Sequence, residues 1–341
     1  MKKIIMVFQI AATFIGTIVG AGFASGREIV QFFTQYQAYG TAGAALSGVL
    51  LTWIGVKMMV YTRRIGAYSF NELVAHLFGE RLGTVIEMMI FFIIFGMNGV
   101  MLAGAGAVFQ EQLGWHRQFG ILLAVLIGVL FLLKGVRGLL WVNTLVVPVL
   151  IVFVVTLFFF GRGAGESAWA APDGVRWFVA AISYAAFNML TALVVLVPLA
   201  KEIDDEAVLR LGGLFGGLGL TMLIFFSHFL MIGDPNAAQF DMPMAEIVRP
   251  FGSAMHFVFV VVIFGEILTT FIGNVFGLAR QLRSTFPAIG GLRSAMMLLI
   301  AGAFLIGQAG YGSLVGVLYP LYGILCLVVV LYMLWVRLPK K

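Results

Sequence analysis

The chain has 341 residues, 62% hydrophobic and 11% charged, with a formal net charge of +6. Soluble domains carry about 25% charged residues, so this composition excludes a globule with a solvated surface. The lone cysteine, Cys326, excludes an intramolecular disulfide or a thiolate metal cluster, and the basic excess follows membrane topology, not nucleic-acid binding.

Apolar runs of about 20 residues, each able to cross ~30 Å of hydrocarbon, recur along the sequence. The short alternating segments of a β-barrel are absent. The expected fold is an all-α polytopic membrane protein with ten spans, at 4–36, 40–61, 81–112, 118–134, 139–161, 174–200, 207–232, 253–281, 292–308 and 312–336. The N-terminal MKKIIMVFQIAATF resembles a signal peptide. Its apolar stretch runs on into a glycine-rich segment, so it is read as the first span and not as a cleaved leader.

Span 1 is too long. Ile4 to Tyr36 is 33 residues, about 50 Å as continuous helix, and it contains Gly16, Gly20, Gly22 and Gly26. Each glycine costs about 1 kcal/mol in a helix interior relative to alanine. One reading is an interruption, whose freed amides and carbonyls need protein, water or ligand as partners. The other is that Gly16-x-x-x-Gly20 and Gly22-x-x-x-Gly26 are smooth faces for close helix packing. The length of the segment and the adjacent Arg27-Glu28 pair favour an interruption. Arg27 and Glu28 are candidates for an outer gate, or for interfacial anchors.

After span 2, Ser69-Phe70-Asn71-Glu72 reads as a capping box opening a surface helix. Span 3 has its midpoint beside Asn98, with Glu87 and Glu111 near enough to its ends to reach headgroups. The midpoint of span 6 lies beside Asn188. His228 and His256 lie near the outer ends of spans 7 and 8, where an interfacial role is expected, and Asp241–Arg249, before Pro250, reads as a second surface helix. Span 8 carries Glu266 at its midpoint, with Thr269 and Thr270 at i+3 and i+4 on the same face. The midpoint of span 1 is Gly20. Four segments thus place a break, two amides and a carboxylate at one depth. Polar groups there are expensive, and translocon scales give about +2.5 to +3.5 kcal/mol for a charge; a shared polar cavity is the expected reason. Asn98 and Asn188 also suit interhelical hydrogen bonding. A carboxylate and two hydroxyls facing free carbonyls form an all-oxygen nest suited to a hard cation such as Na⁺, although the threonines could equally bond back to their own helix.

Sixteen of the 21 Lys and Arg residues fall at one set of span ends. The other set holds only Arg27, Arg117, Arg162, Arg176 and Arg249. The positive-inside rule places both termini in the cytoplasm. The polar loop 162–173 divides the chain into five-span halves, 1–161 and 174–341. Because five is odd, the halves run in opposite orientations, as in an inverted repeat.

These residues resemble the amino acid–polyamine–organocation superfamily, transporters with the LeuT-type 5+5 inverted-repeat fold, and within it a group of ten-span bacterial amino-acid permeases. The resemblance covers nearly the whole chain. It rests on Gly20-Ala21-Gly22 in the first helix, on Tyr184-Ala185-Ala186-Phe187-Asn188 in the sixth and on the Glu266, Thr269, Thr270 trio in the eighth. It implies discontinuous helices 1 and 6, an inner-membrane location, and alternating access around a small amino-acid-like substrate. The amides of Ala21, Gly22 and Phe23, beside Gly20, would hold the substrate carboxylate at a helix N-terminus. Tyr184, Phe187, Asn188 and Asn98 would contact the remainder. Na⁺ would lie between carbonyls of Gly16 and Val19 and the hydroxyls of Thr269 and Thr270. The sequence departs from the family pattern in two places. Span 6 has no glycine at its expected break, and Glu266 replaces a small residue, where it could join the ion site, bind a substrate amine or titrate.

No phosphate-binding loop, His-Glu-x-x-His or Gly-x-Ser-x-Gly frame is present, so neither ATP-driven transport nor enzymatic activity is expected. The expected function is Na⁺-coupled symport of an amino acid or similar zwitterion, without a cofactor. The alternatives are proton coupling and a non-transporting ligand sensor of the same fold. Partners are the small solute and the lipid bilayer, and oligomeric state is not legible.

Overall fold

The computed structural model describes residues 2–134, 137–160, 174–286 and 291–340. Helices make up nearly all of it, with no strand among the described residues. In chain order they are α1 (Lys2–Ile18), α2 (Ala21–Ser25), α3 (Arg27–Phe32), α4 (Gln37–Ile65), α5 (Phe70–Ala107), α6 (Arg117–Lys134), α7 (Arg137–Phe160), α8 (Arg176–Lys201), α9 (Glu206–Gly233), α10 (Pro243–Val248), α11 (Ser253–Thr285), α12 (Leu292–Ile306) and α13 (Tyr311–Trp335). Among the described residues, six segments are long and apolar enough to cross a membrane. Four shorter apolar helices, Lys3–Ile18, Arg117–Leu133, Pro148–Phe159 and Leu292–Ile306, stand where spans 1, 4, 5 and 9 are expected. The loop 162–173, the expected join between the halves, lies outside the described residues.

The expected capping box forms. The Glu72 N–H donates to Ser69 Oγ (3.2 Å), and the Glu72 carboxylate accepts from Tyr68 N–H (2.9 Å). The short helix it opens runs into span 3 through a kink at Gly79 (φ 78°), and both are part of α5. Span 3 then closes with a π-helical turn, Val108–Gln112.

Span 6 corrects an expectation. It is not discontinuous: α8 is one helix from Arg176 to Lys201. The segment contains no glycine, and two of its polar side chains bond back to their own helix. Asn188 Nδ2 donates to Tyr184 O (3.0 Å) and Thr191 Oγ1 to Phe187 O (3.1 Å). Most of the central residues of α8 are buried, and it packs against α4, α13, α1 and α5.

Around this centre α1 lies along α9, where Gly212 and Gly216 admit Ile10 and Phe14, a small-residue contact of the kind membrane helices use. On the opposite side α5 packs against α11, α12 and α6. The outer face of α6 presents Leu122, Leu126, Leu130 and Leu133, all exposed. A leucine stripe at four- and three-residue spacing suits acyl chains and not water.

One end of the bundle is tied by charge. Lys3 pairs with Asp205 (2.8 Å) and Arg63 with Asp204 (2.7 Å), and Arg64 grips Glu206 with two bonds of 2.9 Å and donates to Pro339 O (2.6 Å). These groups line a cavity of about 860 Å³, remote from the span midpoints. Residues 3 and 339 therefore lie at the same end of the bundle. Hydrogen bonds from Lys3 and the Ala207 amide hold the Asp205 carboxyl below its ordinary range. That stabilisation is present above the ordinary carboxylate pKa of about 3.9 and is lost as pH falls through the lowered folded value. The melting temperature of the purified protein is expected to drop between about pH 5 and about pH 3. Asp205→Asn should lower the pH 7 value and shrink that drop. Equal acid sensitivity of variant and parent would contradict this role for the ion pair.

Candidate functional site

Span 1 is interrupted, as the glycines suggest. α1 ends at Ile18, Gly20 is extended (φ −114°, ψ −167°), and α2 restarts at Ala21. A second break follows at Gly26 (φ 82°), which starts α3 in a new direction. The flanking bonds are Val19 N–H to Ile15 O (2.8 Å) and Ala24 N–H to Gly20 O (2.9 Å). Between them the amides of Gly20, Ala21, Gly22 and Phe23 make no backbone bond among the described residues. These are the orphan donors that any helix start leaves, here in a buried setting: Val19, Ala21, Gly22 and Phe23 are all buried.

The break faces α11. A Cβ on Gly20 would lie 3.8 Å from Thr270 Oγ1, so the half-buried Thr270 hydroxyl lies over the interruption. Thr269 behaves differently. Its Oγ1 donates to Glu266 O (3.1 Å), a bond within its own helix. Glu266 is 2% exposed, and its Oε1 has no protein partner. Asn98, at the midpoint of span 3, is fully buried with both amide atoms unpartnered. The carbonyls of Gly16 and Val19 belong to the last turn of α1 and to the break. The Asn188 amide is engaged on its own helix through Nδ2.

Arg27 and Glu28 do not pair with each other; as neighbours in the first turn of α3 they leave the helix in different directions. The Arg27 guanidinium donates outward to Ala238 O (3.0 Å) and Phe240 O (3.2 Å), in the segment leading to α10. That segment is fastened from the π-helical turn after α5, where the Glu111 carboxylate accepts from Asp241 N–H (2.8 Å) and Met242 N–H (2.9 Å), and to α13, where Asp241 accepts from Gly312 N–H (2.9 Å). Glu28 turns inward and is 4% exposed. A Cβ on Gly22 would fall on its carboxylate. Glu28 thus stands beside α2, against Gly22.

Sequence reasoning did not single out the tyrosines of α13. Tyr311, Tyr319 and Tyr322 are buried on one side of that helix. The Tyr311 hydroxyl donates to Ser25 Oγ (2.9 Å), which itself donates to Gly22 O (3.0 Å). Tyr319 packs on Phe187 (centroids 5.1 Å), and Tyr184 packs on Phe32 (5.3 Å) and Phe33 (4.9 Å). The Tyr184 and Tyr319 hydroxyls, like Glu28 Oε2, have no protein partner. The helical spacing of the three tyrosines was the available signal.

The glycines differ in what they tolerate. Gly26→Ala should lose about 1–3 kcal/mol, from its left-handed backbone and from contact with Met231 Cε and Met244 N. Gly20→Ala meets only Thr270 Oγ1 at 3.8 Å and should match the parent. Thermal unfolding of the two variants checks this, and equal losses would contradict the assigned geometry.

No family model matches the chain. Over 337 residues it is 37% identical to "Uncharacterized membrane protein YkvI" of Bacillus subtilis (strain 168), covering 98% of this chain and 96% of that protein. The chain belongs to the YkvI family. Another relative, "Uncharacterized protein YyaD" of the same organism, is 24% identical over 318 residues, covering 91% of each chain. Among solved structures this YkvI-family chain is similar to Mhp1, a nucleobase-cation-symport-1 family transporter. The match to the closed conformation with bromovinylhydantoin bound has a TM-score of 0.61 and 16% identity, covering 92% of this chain and 74% of Mhp1. The match to the inward-facing conformation has a TM-score of 0.64 and 16% identity, covering 94% and 73%. The YkvI-family chain therefore has the LeuT-type fold that its motifs resemble.

Proposed function

We propose that the protein is a secondary active transporter that moves a small amine-bearing organic solute in symport with Na⁺, by alternating access across ten spans arranged as two inverted five-span halves. The observation that carries this reading is the interruption at Val19–Gly20, with its unpartnered amides buried against the Thr270 side of α11. Non-helical backbone at membrane depth is kept only where it is buried in protein or lines a cavity, and here it is buried with donors left over for a ligand. The LeuT-type fold and the relation to the membrane protein YkvI support the reading, and the Mhp1 structures, a transporter with a small ring compound bound, are consistent with it. Na⁺ would be held by carbonyls of α1 together with Thr270, with Glu266 close by on α11. Binding there favours whichever access state joins the two helices. A proton-coupled variant of the same mechanism is the second reading. It draws on Glu28 and Glu266, two buried carboxylates that each leave an oxygen without a protein partner.

Purified protein in proteoliposomes is expected to accumulate radiolabelled solute from a panel of amino acids and small amines when an inward Na⁺ gradient is imposed, and to release it when the gradient collapses. Accumulation driven by a pH gradient and indifferent to Na⁺ would select the proton reading. Saturable binding without accumulation would make the protein a sensor and end the transport reading.

A further inference from the structure

We infer that the solute bears an organic cation where it meets the break in span 1, and that Glu28 is its counter-charge. This deepens the transport reading and rests on it. A zwitterion bound through the α2 amides would have to place its carboxylate beside Gly22. The protein already sets a carboxylate against that residue: the side chain of Glu28 fills the space that a Cβ on Gly22 would need, beside the amides and not bonded to them. A second carboxylate there would compete with Glu28 for the space, and whenever Glu28 is ionised it would meet a like charge in a low-dielectric setting.

Glu28 also lacks a cation of its own. No basic side chain pairs with it among the described residues, and Arg27 is committed to the carbonyls of Ala238 and Phe240. Its Oε2 is buried without a partner, and so are the hydroxyls of Tyr184 and Tyr319, both within electrostatic range of it. Buried polar atoms are normally hydrogen-bonded, and the carboxylate's own Oε2 with the two tyrosine hydroxyls that sense its charge leave three atoms to be satisfied by a donor-bearing cation. The rings of Phe32 and Phe33 against Tyr184 add aromatic surface of the kind that attracts ammonium groups. A buried carboxylate is costly unless paired, so the pairing cation would come with the solute.

Thermal unfolding of the purified full-length protein tests this with three matched pairs: ethanolamine and glycine, choline and glycine betaine, agmatine and arginine. Each is titrated in NaCl and in KCl. At least one amine is expected to raise the melting temperature with a half-effect concentration at least tenfold below that of its carboxylated counterpart. Glu28→Gln should raise that concentration at least tenfold, and Tyr319→Phe, which keeps the ring and the charge, at least threefold. Both variants should retain the parent's unliganded melting temperature within a few degrees. If Glu28→Gln does not fold, Tyr319→Phe decides alone. The inference is overturned if a carboxylated counterpart stabilises as well as its amine, if amine stabilisation survives the substitutions, or if no amine stabilises the parent. Stabilisation by Na⁺ alone that depends on Glu28 would identify an inorganic occupant and also overturn it. Glycine accumulation in proteoliposomes unaffected by Glu28→Gln would sink this inference and leave the transport reading standing. Absence of accumulation for every solute would sink the transport reading.

Discussion

Gly22→Ala is expected to weaken solute binding by roughly a hundredfold in a protein that still folds. The added Cβ cannot coexist with the Glu28 carboxylate where it stands, so the glutamate must swing away. The three atoms nearest that Cβ all belong to Glu28, and the backbone at Gly22 accepts alanine. Gly22 lies inside α2 and is absent from the positions with positive φ, and alanine gains about 1 kcal/mol of helix propensity over glycine. The loss should therefore appear as function without a matching loss of stability. Hydrogen bonds to charged groups contribute about 1.5–3 kcal/mol, and 1.4 kcal/mol corresponds to about tenfold in affinity, which sets the size of the effect. Equilibrium binding of a labelled solute, beside a melting curve of the same preparation, measures both. Binding at the parent's affinity would mean that Glu28 has no part in the site.

The two threonines of α11 are expected to separate. Thr270→Val should weaken the Na⁺ dependence of solute binding at least tenfold, because it removes the hydroxyl that lies over Gly20. Thr269→Val should leave it nearly unchanged, because that hydroxyl is engaged on Glu266 O, three residues back in its own helix. Glu266→Gln should fall on the Thr270 side: it keeps the shape of a side chain only 2% exposed and removes its charge. The measurement is solute affinity as a function of Na⁺ concentration at constant ionic strength. Equal effects at 269 and 270, or none at either, would remove the ion from this position.

The break in span 1 was legible because it needs only chain length and glycine density, both local properties. The capping box at Ser69 and Glu72 was legible for the same reason. The continuity of α8 followed from its lack of glycine, although the resemblance pointed the other way. What could not be read was direction. Arg27 and Glu28 are adjacent in sequence and share α3; the direction in which α3 leaves the left-handed turn at Gly26, seated against Met231 and Met244, decides which of them faces the outer segment and which faces Gly22. Likewise Asn188 sits at the depth expected of a binding residue, yet its amide returns to Tyr184 O. A helical polar side chain can face a cavity or its own backbone from the same position in sequence. The tyrosines of α13 form a stripe that has no meaning until Ser25 and Glu28 are placed opposite it.

The account rests on the joint at Val19–Gly20 as the place where access alternates. Single cysteines at Thr17 and Ser25, one on each side of that joint, in a Cys326→Ser background, allow this to be measured as alkylation rates by N-ethylmaleimide in membranes. Adding Na⁺ and solute together is expected to change the two rates in opposite directions, as one side closes and the other opens. Rates that rise or fall together, or that do not respond to a solute that binds, would contradict it.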